Sequence, residues 1–204
     1  MLHVRHNLIT ADPSQLSDSV KFIENEVRPN VENQPGNLGL ALQLNPELGV
    51  AILESFWVSG DALRVSERVV APSRVAAVRR ATGTVTVERY AVPVFELEAP
   101  LRSGEGVQVT RMDVAPSAVE DTIEVIGDTA VPRLADIEGF CSALFFIDRT
   151  AGHSIIETLW RDRQALAGSR SAAATIRVDT VLATNGVIRA VEEYQTVFSS
   201  ARKF

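Results

Sequence analysis

Apolar residues recur early in the chain at the spacing of a helix. Leu16, Val20, Ile23, Val27 and Val31 follow one another at intervals of 4, 3, 4 and 4, which places them on one face of a 3.6-residue repeat. Asp12 and Pro13 suit the cap and first turn of that helix. Shorter runs flank it and read as strands: His3 to Thr10 before it, then Leu38 to Leu44 and Val50 to Val58 after it. Pro35-Gly36-Asn37 and Asn45-Pro46-Glu47 are turns. A second helix is expected from Ser59-Gly60-Asp61 to about Arg80, broken in two by Pro72 and ended by Gly83. Val85 to Phe95 is a fourth strand.

The same order then returns. Residues 53–66 and 156–169 share five identities: Glu54 with Glu157, Trp57 with Trp160, Ala62 with Ala165, Leu63 with Leu166 and Ser66 with Ser169, each pair 103 positions apart (157 minus 54, and so on). The apolar stripe returns as Val119, Ile123, Ile126, Ala130 and Leu134. Pro13 and Pro29 return as Pro116 and Pro132, so each first helix is expected to bend or end at its late proline. The second hairpin is Phe140 to Ile147 with His153 to Trp160, and the second long helix runs from Asp162 to about Ala183, ended by Gly186. The last strand is Val187 to Phe198; its Val-Glu-Glu-Tyr aligns with the earlier Val-Glu-Arg-Tyr at a shift of 104, which implies one extra residue near Ala190. The repeats are 1–97 and 105–204, joined by a linker at 98–104.

Each repeat therefore reads strand, helix, strand, strand, helix, strand, which makes a four-stranded antiparallel sheet with both helices on one face. On the strand Val50 to Val58, one face carries Val50, Ile52, Glu54 and Phe56 and the other Ala51, Leu53, Ser55 and Trp57. Both faces are largely apolar, so both need burial. Helices cover one, and the sheet of the other repeat is expected to cover the second by meeting it face to face. The expected fold class is α+β, with two ferredoxin-like βαββαβ repeats forming one intramolecular pseudo-dimeric barrel.

Composition removes several functions. Net charge is −6 and no Lys/Arg run could follow a phosphate backbone, so nucleic acid is not an expected partner. No apolar run is long enough to span a bilayer. The N-terminus lacks the basic-then-apolar order of a signal peptide, and the single Cys141 cannot form an internal disulfide, so a cytoplasmic, reducing setting is expected. There is no glycine-rich phosphate loop, no Cys-x-x-Cys and no nucleotide fingerprint. No cofactor and no metal site is expected.

Candidate site residues come from the duplicated positions. Trp57 and Trp160 either pack in the core or wall a flat apolar cavity, where they would stack on an aromatic ligand. Asn7 shares a strand face with Arg5 and Ile9, expected to look toward the helices; its amide either finds a buried partner or orients a phenol or enolate oxygen. Thr110 replaces it in the second repeat, so two pockets would not be equivalent. Ser66 and Ser169 lie one helical turn beyond Leu63 and Leu166 and either ease close packing or line a cavity. Arg74 and Arg177 are surface cations or hold an anionic substrate at a cavity mouth. Glu54 and Glu157 sit on the face opposite the tryptophans and need partners if buried, with Arg89, Arg111, His6 and His153 in position.

Several motifs resemble the dimeric α+β-barrel superfamily, and within it the antibiotic-biosynthesis-monooxygenase-like domains. They are Pro35-Gly36 before Leu38-Gly39, Phe56-Trp57-Val58-Ser59 leading to Ala62-Leu63, and Glu88-Arg89-Tyr90; the second repeat matches through Gly139-Phe140, Leu159-Trp160, Ala165-Leu166 and Glu193-Tyr194. The resemblance covers nearly the whole chain and implies a tandem fusion of two such domains, with further homodimerisation of the fused pair left open. It implies cofactor-independent oxygenation of an aromatic or polycyclic molecule, with Trp57 lining the pocket; set beside the reading of the residues above, Asn7, Trp57 and Arg74 are the expected catalytic residues. Leu53, Ser66, Thr110, Trp160, Ser169 and Arg177 would line the substrate. The alternative is a non-catalytic protein of the same fold that binds a small apolar ligand or plays a structural part. The haem-degrading branch of the resemblance fits Asn7. It fails at Ser66 and Ala76, where a Trp and the iron-binding His would stand, and at Thr110, Ser169 and Asp179 in the second repeat.

Overall fold

A computed structural model describes residues 1–97 and 104–201; most of the expected linker lies outside the described residues. The first repeat contains β1 (Leu2–Thr10), α1 (Leu16–Phe22), α2 (Arg28–Glu32), β2 (Asn37–Asn45), β3 (Val50–Trp57), α3 (Gly60–Arg80) and β4 (Thr84–Leu97). The second contains β5 (Gly106–Asp113), α4 (Val119–Val125), α5 (Val131–Ala135), β6 (Phe140–Ile147), β7 (His153–Trp160), α6 (Arg163–Thr184) and β8 (Val187–Ser199). The eight strands hydrogen-bond in the order β1-β3-β2-β8-β5-β7-β6-β4 and close as a barrel. The fold is α+β. The expected barrel is present as one closed ladder of strands.

Two compact units share the chain. One comprises Met1–Arg89 with the C-terminal stretch from Val197, and the other Tyr90–Thr196. The sequence repeats and the packing units are thus different divisions, since β4 and β8 each carry residues of both units.

Within the first unit, β3 pairs antiparallel with β1 (Arg5 opposite Ser55, Asn7 opposite Leu53) and with β2. The face bearing Ile9, Leu53 and Trp57 packs on the helical stripe Leu16, Ile23, Val27 and Val31 and on Leu63, Val70 and Ala77 of α3. The second unit repeats this layer: Met112, Phe145, Ile147 and Trp160 meet Val119, Ile126, Ala130, Leu134, Leu166 and Ile176. In the β5–β8 pairing, Arg111 faces Ala190 and Met112 faces Ile188. Arg189 is the bulged residue, and this is where the extra residue of the second repeat is accommodated.

Four local features differ from the sequence expectation or refine it. First, α1 does not simply bend at Pro29: a π turn, Ile23–Val27, precedes α2, and the second repeat has the same device at Ile126–Ala130 before Pro132. A proline has no N–H and crowds the carbonyl four residues back, and widening the preceding turn relieves both. Second, α3 is continuous across Pro72 over 21 residues. One missing hydrogen bond is outweighed by burial of Val70, Ala77 and Val78 on either side. Third, the residues in left-handed conformation at the helix ends are Thr82 (φ 48) and Asn185 (φ 50), not the glycines. Gly83 and Gly186 follow them and bond back to Val78 and Val181. Glycine is required at 83 because a Cβ there would lie 2.4 Å from the Thr10 carbonyl oxygen. Fourth, Asp12 bonds the Ser14 amide and hydroxyl in a turn, and α1 starts later, at Leu16.

Candidate functional site

The face that each repeat turns toward its helices carries different polar groups in the two copies. In the first unit, Arg5 of β1 is completely buried. One guanidinium nitrogen donates to the Leu63 carbonyl at 2.6 Å and to Ser66 Oγ at 3.0 Å, and lies 3.0 Å from Glu67 Oε2. Its guanidinium carbon sits 5.4 Å from the centroid of the Trp57 ring, a cation–π distance. Trp57 is itself fully buried and donates through Nε1 to Ser55 Oγ at 3.0 Å. A face expected to receive a ligand is thus occupied by Arg5. Asn7 donates from Nδ2 to the Leu53 carbonyl at 2.7 Å, while its buried Oδ1 has no hydrogen-bond partner among the described residues. Ser66 also donates to the Leu63 carbonyl, and Arg74 is tied to Glu67 of α3. Ser66 further contributes to a separate cleft of about 360 Å³ lined by Pro35, Gly36, Val58 and Ala62.

Glu67 is the one carboxylate in this group. Burial alone would raise its pKa, but the hydrogen bond from Arg74 and the charges of Arg5, Arg74 and Arg89 outweigh that and hold it below the ordinary glutamate value. A depressed folded-state pKa stabilises the fold above about pH 4.3, the unfolded value, and that contribution disappears as pH falls through the lower folded value. The expected result is that the urea midpoint drops less between pH 7 and pH 3 in Glu67→Gln than in the unaltered chain. Parallel losses would show that Glu67 is not part of the acid response.

In the second unit, the same positions read Gln108 for Arg5, Thr110 for Asn7, Thr158 for Ser55, Arg170 for Glu67 and Arg177 for Arg74, each again 103 residues on. Trp160 is fully buried, donates to Thr158 Oγ1 at 3.1 Å and meets Phe140 edge-on at 5.8 Å. Ser169 donates to the Leu166 carbonyl, as Ser66 does to Leu63. With neutral Gln108 in place of Arg5, a cavity of about 30 Å³ remains between sheet and helices. Its polar wall is Gln108, Thr110, Thr158, Arg177 and Thr180, and its apolar wall includes Ile126, Ile156 and Ile176. Ile126 and Ala130, which also lines it, belong to the π turn.

Arg177 is the unusual residue of this cavity. It donates to Gln108 Oε1 at 2.6 Å, burial lowers its pKa, and it has no ion pair among the described residues. The reason lies in a reversed ion pair. In the first unit the acid is on the helix and the base on the strand (Glu67 with Arg89, 3.5 Å); in the second the base is on the helix and the acid on the strand (Arg170 with Glu193, 2.6 Å). Glu67 therefore neutralises Arg74, whereas Arg170 cannot neutralise Arg177.

The opposite strand face holds the buried carboxylates. Glu54 Oε1 lies 2.9 Å from His6 Nδ1, positioned to accept its hydrogen, and His6 Nε2 lies 3.9 Å from Glu88. Of the other groups placed near by strand position, His153 is exposed and pairs with Asp113, and Arg111 pairs with Glu192. Among the described residues no cluster of three His, Cys, Asp or Glu side chains is placed to hold a metal ion, and no helix is long and apolar enough to cross a membrane.

Sequence reasoning did not single out Arg5, Glu67, Gln108 or Thr158 as site residues. Comparing the repeats position by position identifies all four: they fall in three pairs, of which Arg5 with Gln108 and Glu67 with Arg170 differ in charge, while Ser55 with Thr158 keeps the hydroxyl that takes the tryptophan N–H.

No family model matches the chain. It is 24% identical over 203 residues to an uncharacterized protein of Mycobacterium tuberculosis (strain ATCC 25618 / H37Rv), covering 99% of this chain and 86% of that relative. A second uncharacterized protein of the same strain is 22% identical over 186 residues, covering 91% and 83%. Among solved structures, a proposed monooxygenase from Fusobacterium nucleatum superposes with a TM-score of 0.73 at 12% identity, covering 98% of this chain and 94% of that one. The chain shares the fold of the dimeric α+β-barrel proteins. An anthrone oxidase-like protein superposes at 0.69 with 16% identity, covering 98% and 92%. A ferredoxin-fold protein of Listeria monocytogenes related to antibiotic biosynthesis monooxygenases superposes at 0.53 with 10% identity, covering 98% and 96%. Identities this low establish the architecture, and function rests on the site.

Proposed function

We propose that the chain is a cofactor-independent monooxygenase-like protein acting on an aromatic or polycyclic molecule with an acidic hydroxyl, and that the second-repeat cavity is where the molecule binds. The observation that carries this reading is Arg177, a partly buried cation with a neutral partner, facing a mostly apolar cavity that three threonines also line. An enolate or phenolate oxygen supplies the charge that Arg177 lacks, and Thr110 and Thr158 orient the ring. Likeness to an anthrone oxidase-like protein supports the substrate class.

In such a reaction the ring methylene loses a proton to solvent and the enolate oxygen is held by Arg177. The carbanion carbon bonds to dioxygen. The O–O bond then breaks, one oxygen stays as the new carbonyl, and the other leaves as water with the two methylene hydrogens. The substrate gives up four electrons and no other reductant is needed. Asn7, Trp57 and Arg74 then serve the first repeat's own cluster rather than this step.

A cavity of about 30 Å³ holds water but not a tricyclic ring, since drug-sized ligands occupy at least roughly 300 Å³. Substrate entry therefore requires the wall at Ile126–Ala130 to move. Its π turn has fewer ideal helix bonds to break. The same small volume favours the rival reading of a non-catalytic, structural protein of this fold. Oxygen uptake with anthrone decides between them. We expect uptake by the unaltered chain and a fall of about 100-fold in kcat/KM for Arg177→Gln. Binding without uptake would leave the non-catalytic reading standing.

A further inference from the structure

The first unit holds a second polar group that the proposed reaction does not use. Arg5, Arg74 and Arg89 converge on Glu67: Arg5 at 3.0 Å, Arg89 at 3.5 Å, and Arg74 through a short hydrogen bond. Three guanidinium charges against one carboxylate leave an excess of two positive charges on the helix-facing side of β1. Arg5 is completely buried, and its Nε and Nη1 have no hydrogen-bond partner among the described residues; the buried Nη1 of Arg74 has none either. Unpartnered buried donors on cations are costly, and an oxyanion is the group that satisfies them. The cluster reaches solvent at one end, where the Arg89 and Glu67 side chains are 49% and 30% exposed while that of Arg74 is only 11% exposed.

We propose that this cluster is an oxyanion-binding site, in which the ligand oxygen accepts from the free Nη1 of Arg74 and from Arg89, within the field of the buried Arg5. The ligand is a small molecule or ion bearing a carboxylate, sulfate or phosphate. Its negative charge complements the excess that Glu67 leaves, and entry is from the Arg89 side. The second repeat cannot build the same site, because Gln108 replaces Arg5 and Glu193 replaces Arg89. Burial depresses the Arg5 pKa to about 10, with Arg74 and Arg89 opposing the help from Glu67, as a cluster short of negative charge requires.

Titration calorimetry and thermal unfolding of the full chain test this with sodium sulfate, sodium phosphate, and sodium benzoate as the carboxylate, against sodium chloride at matched ionic strength. We expect at least one of the three to raise the unfolding temperature above the chloride control, following the binding isotherm. Arg74→Gln and Arg89→Gln each weaken that binding by about tenfold or more. Arg177→Gln retains the effect, so the test stands apart from the fate of the oxygenase reading. If Arg5→Met folds, it too loses the response; Arg89→Gln, at a half-exposed position, keeps the test alive if it does not. No shift beyond chloride with any of the three anions, or an equal shift in Arg74→Gln and Arg89→Gln, overturns the proposal.

Discussion

Gly152→Ala is expected to destabilise the chain by about 2–5 kcal/mol, a left-handed-backbone cost plus an overpacking cost. Gly152 closes the β6–β7 turn at φ +76, and a Cβ built there lies 2.0 Å from the Val114 carbonyl oxygen. Left-handed backbone alone costs a non-glycine residue about 1–2 kcal/mol. The contact forces the rest, because the obstacle is backbone and is held by the bond from the Val114 amide to the Gly152 carbonyl at 3.0 Å. Gly104 is the control: it too has a positive φ, of +92, but among the described residues nothing lies within 4 Å of a Cβ placed there. Gly104→Ala should therefore lose only the backbone part. Urea unfolding of the two variants, compared with the unaltered chain, checks this. Equal losses would mean that strain in φ, and not the close approach of Gly152 to the strand end, is what matters.

The second large effect is expected at the paired tryptophans. Trp57→Ala and Trp160→Ala each remove a fully buried indole from the core of their own unit, at about 3–5 kcal/mol. They differ in what is left behind. Without Trp57, the buried Arg5 loses the ring beneath its guanidinium, whereas loss of Trp160 removes an edge contact with neutral Phe140. Trp57→Ala should therefore fall in the upper part of that range, and its cost should depend on Arg5. In a double-mutant cycle, Arg5→Met with Trp57→Ala is expected to show a coupling of about 0.5–2 kcal/mol. No coupling would mean that the ring and the guanidinium merely lie near each other.

Much of the fold was legible because the chain states it twice. The offset of 103 residues aligned the apolar stripes, the hairpins and the long helices, so each weak local signal was read in two places. Stripe periodicity carried no sign of the π turns, since one added residue per turn leaves the buried faces of Ile23 and Val27 in place. Pro72 misled for a different reason: packing over a 21-residue helix overrides the loss of one backbone bond. The site was harder. Asn7, Trp57 and Arg74 stand out by residue type, yet what they do depends on Arg5, which occupies the ring face and attracts Glu67. The alternation put Arg5 on the helix-facing side with Asn7 and Ile9, but only tertiary structure shows that its entire side chain is inside and which groups it meets. The reversal of the Glu67–Arg89 pair into Arg170–Glu193 is written in the sequence, but its consequence for Arg177 depends on side-chain geometry.

The two copies have the same frame and opposite interiors, one filled by arginine and one left with a small cavity beside an arginine. Amide chemical-shift mapping with 1-naphthol separates them most directly. The expected result is saturable shifts at Thr110, Ile156, Thr158, Ala173 and Ile176, abolished in Arg177→Gln, with Asn7, Leu53 and Ser66 unmoved. Shifts centred on Asn7, Leu53 and Ser66, with the second copy silent, would contradict it.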